Sequence, residues 1–231
     1  MEPAWKRTGA PLAVLVVFLG VVAWGWHHFF GSDPITNAPP RNATIVAFGD
    51  SLTAGSGASP GHDYPSELSR LLGLPVINRG VGGDTTARAL ARLEGDVLAL
   101  EPGLVIVILG GNDYLHGVDA AVVERNLSEI VERLHASGAT VVLGEIRGAL
   151  PGADYGRLFE RVARSHGAAL VPNLLKDILT NPARKSDPIH PNDEGYRLMA
   201  ERIAAVVAPL MKNRAAAAQP RESSRKSGGR N

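Results

Sequence analysis

The sequence predicts an α/β protein, a doubly wound three-layer α/β/α sandwich on a five-stranded parallel sheet. Three observations carry that expectation. Short runs that are apolar on successive residues recur through the middle of the chain. Stretches with apolar residues at helical spacing separate them. Clusters of glycine and polar residues follow the runs, at the edge where such sheets bind ligands.

The elements follow in order. The runs are TIVAF (44–48), PVINR (75–79), LVIVIL (104–109), TVVLGEI (140–146) and ALVP (169–172). Uninterrupted apolar residues suit strands covered on both faces, as parallel strands are. A helix is expected over Pro65–Leu72 after the first strand, and over Thr85–Leu100 after the second, with a break at Gly95. Ala120–Ala136 carries Leu127, Ile130, Val131 and Leu134 at helical spacing, and Gly138 supplies its C-terminal cap. Tyr155–Ser165 follows the fourth strand, and Asp193–Leu210 closes the domain. Right-handed crossovers put these helices on both faces of the sheet.

The ends of the chain differ from this middle. Residues 11–30, PLAVLVVFLGVVAWGWHHFF, contain no acidic residue, lysine or arginine. That length spans a bilayer core as a helix. Trp24 and Trp26 sit where an aromatic belt forms, and Lys6 and Arg7 keep the N-terminus cytoplasmic. Residues 1–30 are therefore expected to be an N-terminal transmembrane anchor, with the catalytic domain extracytoplasmic (periplasmic). A cleaved signal peptide, giving a secreted protein, competes with this reading; its site would be the small-residue stretch Thr36, Asn37, Ala38. A buried core helix is the third reading. Residues 31–43 read as a linker rich in turn formers, 44–211 as the domain, and 212–231 as a disordered basic tail.

Composition excludes some chemistry. The chain has 231 residues, a formal net charge of +1 and no cysteine. Disulfides, thiolate metal sites and cysteine nucleophiles are excluded. The charge balance gives no case for a nucleic-acid partner. His62, His116, His135 and His166 lack ligand spacing and read as surface residues, so no metal and no cofactor are expected.

The polar clusters carry the functional reading. GDSLTAG (49–55) follows the first strand, NRGVGGDT (78–85) the second and GGND (110–113) the third; SDPIHPND (186–193) precedes the last helix. A serine hydroxyl needs an adjacent base to act as a nucleophile. His190 can supply one, and Asp187, in a turn bounded by Pro188 and Pro191, can fix its tautomer. An oxyanion needs preorganised donors. The Ser51 amide, Gly83 and the Asn112 side chain are the candidates. Each cluster alone has a plainer reading: Ser51 as a helix cap, Asp187 and His190 as a surface turn, the glycines before Asp84 as a turn, Asn112 and Asp113 as a capped turn. Asp50 and Asp84 read as groups that orient loops, Asp113 as a partner behind the site, and Glu145 as pairing with Arg147 or Arg88.

GDSLTAG, GVGGDT, GGND and DPIHP, in this order, resemble the SGNH (GDSL) hydrolase family across essentially all of residues 44–211. The resemblance implies a flavodoxin-like sheet of order 2-1-3-4-5 and esterase or lipase chemistry without a metal. It implies a triad of Ser51, Asp187 and His190, and an oxyanion hole of Ser51, Gly83 and Asn112. The further motifs YP (64–65), ARL, LGGND, IR (146–147) and YG (155–156) resemble the arylesterase, acyl thioesterase I and lysophospholipase branch. That branch implies a small acyl ester, thioester or lysolipid as substrate. Two departures, Tyr64 where tryptophan is usual and a longer segment 147–154, are expected to line the acyl pocket. A carbohydrate O-acetylesterase and a non-catalytic binding module on the same scaffold remain as alternatives.

Overall fold

The computed structural model describes residues 34–146 and 153–218. The anchor expected over 1–30, most of the segment 147–154 with Arg147, and residues from 219 onward lie outside the described residues. Among those described, no helix is long and apolar enough to cross a membrane.

The sheet is parallel throughout. Its strands are β1 (Ile45–Gly49), β2 (Val76–Gly80), β3 (Leu104–Ile108), β4 (Thr140–Gly144) and β5 (Ala169–Val171), in the order β2-β1-β3-β4-β5. Both the fold class and the order 2-1-3-4-5 match the expectation. In β1, β3 and β4 every residue is buried, as the unbroken apolar runs require. β2 is only partly covered, because it forms the edge and carries Asn78 and Arg79.

The helices are α1 (Ser51–Ala54), α2 (Tyr64–Leu72), α3 (Thr86–Asp96), α4 (Gly111–Leu115), α5 (Ala120–Ala136), α6 (Ala153–His166) and α7 (Asp193–Ala218). One helical layer is α2 packed on α7; on the other, α5 packs against both α3 and α6. Phe48, Leu68, Ile106, Leu127, Phe159 and Met199 are among the fully buried side chains between the layers. Full burial of one such side chain contributes about 1.5–3 kcal/mol.

Helix limits depart most from the sequence reading in two places. The break after the second strand falls at Val97, not Gly95, and a single 3-10 turn, Leu98–Leu100, follows it. Val97 is buried, and its anchoring in the core sets the change of direction. The last helix passes the expected end at Leu210 and runs on to Ala218. Its final residues, Ala215–Ala218, have the highest intrinsic helix propensity. The short helices α1 and α4 carry no periodic signal and are set by what precedes them, a strand end each.

Residues 35–42 lie across the edge of the sheet opposite the strand carboxyl ends. The Thr36 amide donates to the Gly167 carbonyl at 2.8 Å. The Asn37 side chain donates to the His135 and Ala139 carbonyls, and Asn42 donates to the Glu101 carbonyl. These acceptors precede β5, β4 and β3. His135 is half-buried here, rather than a surface residue, and burial pulls its pKa below the ordinary value.

The chain thus leaves every site cluster at the other edge. Gly49 of β1 is aligned with Gly80 of β2 on one side and with Ile108 of β3 on the other. The three loops that follow these strands are therefore neighbours. Gly80 has to be glycine, because a Cβ there would lie 2.1 Å from the Ala54 amide nitrogen. Its absence lets α1 pack down onto the edge strand.

Candidate active site

Ser51 is the first residue of α1. Asp50 caps that helix, its side chain accepting from the Leu52 amide at 3.0 Å. The Asp50 amide itself donates to the Ile108 carbonyl, so the turn after β1 is held to the end of β3. The serine is then presented at the rim rather than in the sheet.

His190 reaches it from the far end of the domain. The loop from Lys185 to Asn192 is closed by an antiparallel bridge between Lys185 and Pro191, and by the Ser186 amide donating to the His190 carbonyl. His190 Nε2 stands 3.0 Å from Ser51 Oγ, and His190 Nδ1 stands 2.7 Å from Asp187 Oδ2. The other carboxylate oxygen of Asp187 accepts from the Ile189 and His190 amides, each at 2.9 Å. The hydrogen bond to His190 and these amides hold the Asp187 carboxyl below its ordinary range. An ionised carboxylate only accepts, so the imidazole proton sits on Nδ1 and leaves Nε2 to accept from the serine hydroxyl. The histidine side chain is 17% exposed and the aspartate 44%, so the ring is sheltered while its partner is at the surface.

The expected oxyanion donors other than the Ser51 amide lie on the two flanking loops. Asn112, in α4 after β3, donates one side-chain hydrogen to the Asp84 carbonyl at 2.9 Å. Its second amide hydrogen remains available. Gly83 has φ of +78°, a conformation that favours glycine, with open space where a Cβ would stand. Among the described residues neither the Gly83 amide nor the Ser51 amide donates to a protein acceptor. Ser51, Asp187 and His190 are thus joined in one hydrogen-bonded chain. Asn112 lines the same cavity as Ser51 and His190, and Gly83 is tied to it through the next residue, Asp84.

That cavity has a volume of about 260 Å³. Beyond the polar groups its walls include Tyr114, Leu115, Ile146, Leu175, Leu179 and Ile189. Tyr114 is braced edge-to-face on Tyr155, with ring centroids 5.2 Å apart. Tyr64 is not part of it. Contrary to expectation it is fully buried, with its hydroxyl 3.0 Å from Thr53 Oγ1 in the core. Its position at the start of α2, packed under α7, puts it behind the site rather than in it.

The acidic residues around the site act on its frame. Both oxygens of buried Asp113 accept from Thr86, one from the amide at 2.8 Å and one from the hydroxyl at 2.6 Å, and Asn126 donates to the same hydroxyl. Asp84 accepts from Arg92 Nε at 2.6 Å. Arg88 is a looser neighbour of Asp84, at 3.8 Å. Glu145 is buried and accepts from the Asn173 amide at 2.7 Å. Burial raises the Asp50 carboxyl to about 7, with the Leu52 amide and His190 opposing and Asp113 and Asp84 adding to the rise. No group of three His, Cys, Asp or Glu among the described residues could hold a metal ion.

Sequence reasoning missed the Arg92 contact with Asp84 and the cavity walls at Leu175 and Leu179. Arg92 and Asp84 are eight residues apart, a separation with no short-range signature, and Leu175 and Leu179 lie in an irregular stretch.

A family model for the GDSL-like lipase/acylhydrolase family matches residues 47–198, from β1 through the start of the last helix. The chain belongs to the GDSL-like lipase/acylhydrolase family. This GDSL hydrolase is 31% identical over 179 residues to a thioesterase 1/protease 1/lysophospholipase L1 of Escherichia coli, covering 73% of this chain and 85% of that one. It is 32% identical over 184 residues to an arylesterase of Vibrio mimicus, covering 74% and 90%. Among solved structures, one of TesA superposes with a TM-score of 0.67 at 32% identity, covering 72% of this chain and 99% of that chain. The GDSL hydrolase is accordingly a carboxylic ester hydrolase, and acyl ester hydrolysis is its reaction class.

Proposed function

We propose that the protein is a serine esterase that hydrolyses acyl esters or thioesters through Ser51, His190 and Asp187. The observation that carries this reading is the unbroken chain of contacts from Asp187 Oδ2 through His190 to Ser51 Oγ, at 2.7 and 3.0 Å.

Ser51 Oγ attacks the acyl carbonyl carbon while its proton passes to His190 Nε2. Asp187 holds the ring and stabilises the imidazolium that forms. The carbonyl oxygen becomes an oxyanion, met by the Ser51 and Gly83 amides and the free hydrogen of Asn112. His190 then gives its proton to the departing alkoxide or thiolate as the carbon–oxygen or carbon–sulfur bond breaks. Water attacks the acyl-serine with the same histidine as base, releasing the acid and restoring Ser51.

The apolar walls at Leu115, Ile146, Leu175, Leu179 and Ile189 favour an apolar acyl group over an acetylated sugar. The names of the relatives, arylesterase and thioesterase 1/lysophospholipase L1, suggest the candidate leaving groups: phenols, thiols and the glycerophosphoryl alcohol of a lysophospholipid. The apolar run 11–30 supports an extracytoplasmic, tethered domain, with signal cleavage and secretion as the alternative. External protease reaching the domain in intact spheroplasts fits either topology, and full protection overturns both.

The deciding measurement is turnover of a short-chain aryl ester by the wild type and by Ser51→Ala. Loss of turnover in the variant is expected. Wild-type turnover in Ser51→Ala overturns the mechanism. An ester series from acetyl to palmitoyl, with thioester and lysophospholipid counterparts, then fixes the substrate.

A further inference from the structure

Arg92 lies on α3, outside the cavity, yet it contacts both sides of the candidate site. Each nitrogen of its guanidinium has a different acceptor. Nε donates to Asp84 Oδ2 at 2.6 Å, Nη2 to the Gly49 carbonyl at 3.0 Å, and Nη1 to Asp96 Oδ2 at 2.9 Å. The group also stacks on the Phe48 ring, 4.5 Å from its centroid. The side chain is 18% exposed and that of Asp84 only 3%.

The acceptors are what make this more than an ion pair. Gly49 is the last residue of β1, two before Ser51, and its carbonyl also accepts from the Val81 amide at the start of the loop that carries Gly83. Asp84 follows Gly83 directly, and while its carboxylate holds Arg92, its carbonyl holds the Asn112 side chain. One planar cation therefore ties the strand that presents Ser51 to the loop that presents Gly83, and that loop orients Asn112. The clasp thus touches, directly or through Asp84, the segments that carry all three proposed oxyanion donors.

We infer that Arg92 is a positioning residue for the oxyanion donors, acting through Asp84 and the Gly49 carbonyl. The inference rests on the roles proposed above for Ser51, Gly83 and Asn112. A lysine cannot substitute. Its ammonium is a point charge that cannot span acceptors in a fixed plane or stack as a guanidinium does. A surface ion pair kept only for stability would tolerate that exchange.

The test compares wild type, Arg92→Lys, Arg92→Ala, Asp84→Asn and Asp96→Ala. Active sites are titrated with a fluorophosphonate, so that rates are expressed per labelled Ser51 and unfolded protein is not counted. Arg92→Lys and Arg92→Ala are expected to lose about 10- to 100-fold in kcat per labelled site, with KM little changed, as for displaced rather than deleted oxyanion donors. Affinity for a trifluoromethyl ketone, which forms a tetrahedral oxyanion, falls in parallel. Methylguanidinium restores part of the activity of Arg92→Ala, and methylammonium does not. Asp96→Ala breaks the arm that leads away from the site; it lowers the Tm but leaves kcat per site near wild type.

Wild-type kcat per labelled site in Arg92→Ala overturns the inference, as does full activity in Arg92→Lys. If both arginine variants fail to fold, Asp84→Asn decides: a lowered kcat at unchanged KM supports the clasp, and wild-type kinetics sinks it. Failure of the wild-type protein to take the fluorophosphonate at Ser51 removes the underlying reading, and this inference with it. That failure is distinct, because it appears before any variant is made.

Discussion

His190 Nε2 lies 3.0 Å from Ser51 Oγ although 139 residues separate the two in sequence. The closeness follows from topology. Both residues sit at the carboxyl edge of one parallel sheet, Ser51 by direct continuation of β1 and His190 by a bridged loop ahead of the last helix. In the proposed mechanism the hydroxyl and its base work as one unit, so their losses should not add. Ser51→Ala and His190→Ala are each expected to lower kcat by on the order of 10⁶, with the double variant no worse. Asp187→Asn, which permits the wrong tautomer, should cost about 10⁴. Kinetics on an aryl ester, with stability checked by thermal melting, measures all of these.

Asn112 gives a different signature. In the proposed mechanism its side chain meets the oxyanion and takes no part in the attacking group. Asn112→Ala is expected to lower kcat by about 10²–10³ with KM nearly constant. Ser51 should still label with a fluorophosphonate in that variant, more slowly than in wild type. A change confined to KM would place Asn112 in ground-state binding instead.

The parts of this molecule that could be read from sequence share a physical cause. β1, β3 and β4 are covered on both faces, so their residues are apolar without alternation, and the polar clusters after β1 and β3 mark the rim. Asp187 and His190 are three residues apart, so their pairing is local. The parts that could not be read depend on contacts between distant segments. Nothing near Arg92 signals Asp84 and Gly49, and nothing in the irregular stretch around Leu175 signals a cavity wall. Tyr64 shows the hazard of reading position from motif alone. It stands beside a site motif in sequence, yet α2 turns it into the core.

Tyr64 yields a test of that placement. Its hydroxyl and Thr53 Oγ1 are both fully buried and are each other's hydrogen-bond partners. Tyr64→Phe removes one and strands the other. The expected loss is about 1–3 kcal/mol, or roughly 2–4 °C in Tm per kcal/mol for a domain of this size. Acyl-chain preference should not move, because the side chain does not line the cavity. A shifted chain-length profile at unchanged Tm would contradict the placement.

Asp50 predicts how stability depends on pH. Its carboxyl is buried beside Ser51, and burial moves its pKa from an ordinary 3.8 to about 7. His190 and the Leu52 amide oppose that rise, while Asp113 and Asp84 add to it. Between about pH 4 and 7 the folded protein therefore holds a proton at this site that the unfolded chain has lost. Stability contributed by the neutral carboxyl is complete below pH 4, falls as pH rises to 7 and is level above. The displacement corresponds to at most about 4 kcal/mol. Asp50→Asn keeps the helix cap and has no proton to lose. Its Tm relative to wild type should climb from pH 4.5 to about pH 7 and level off toward pH 8. A difference that stays flat over that range would mean the Asp50 carboxyl is ionised throughout, in spite of its burial.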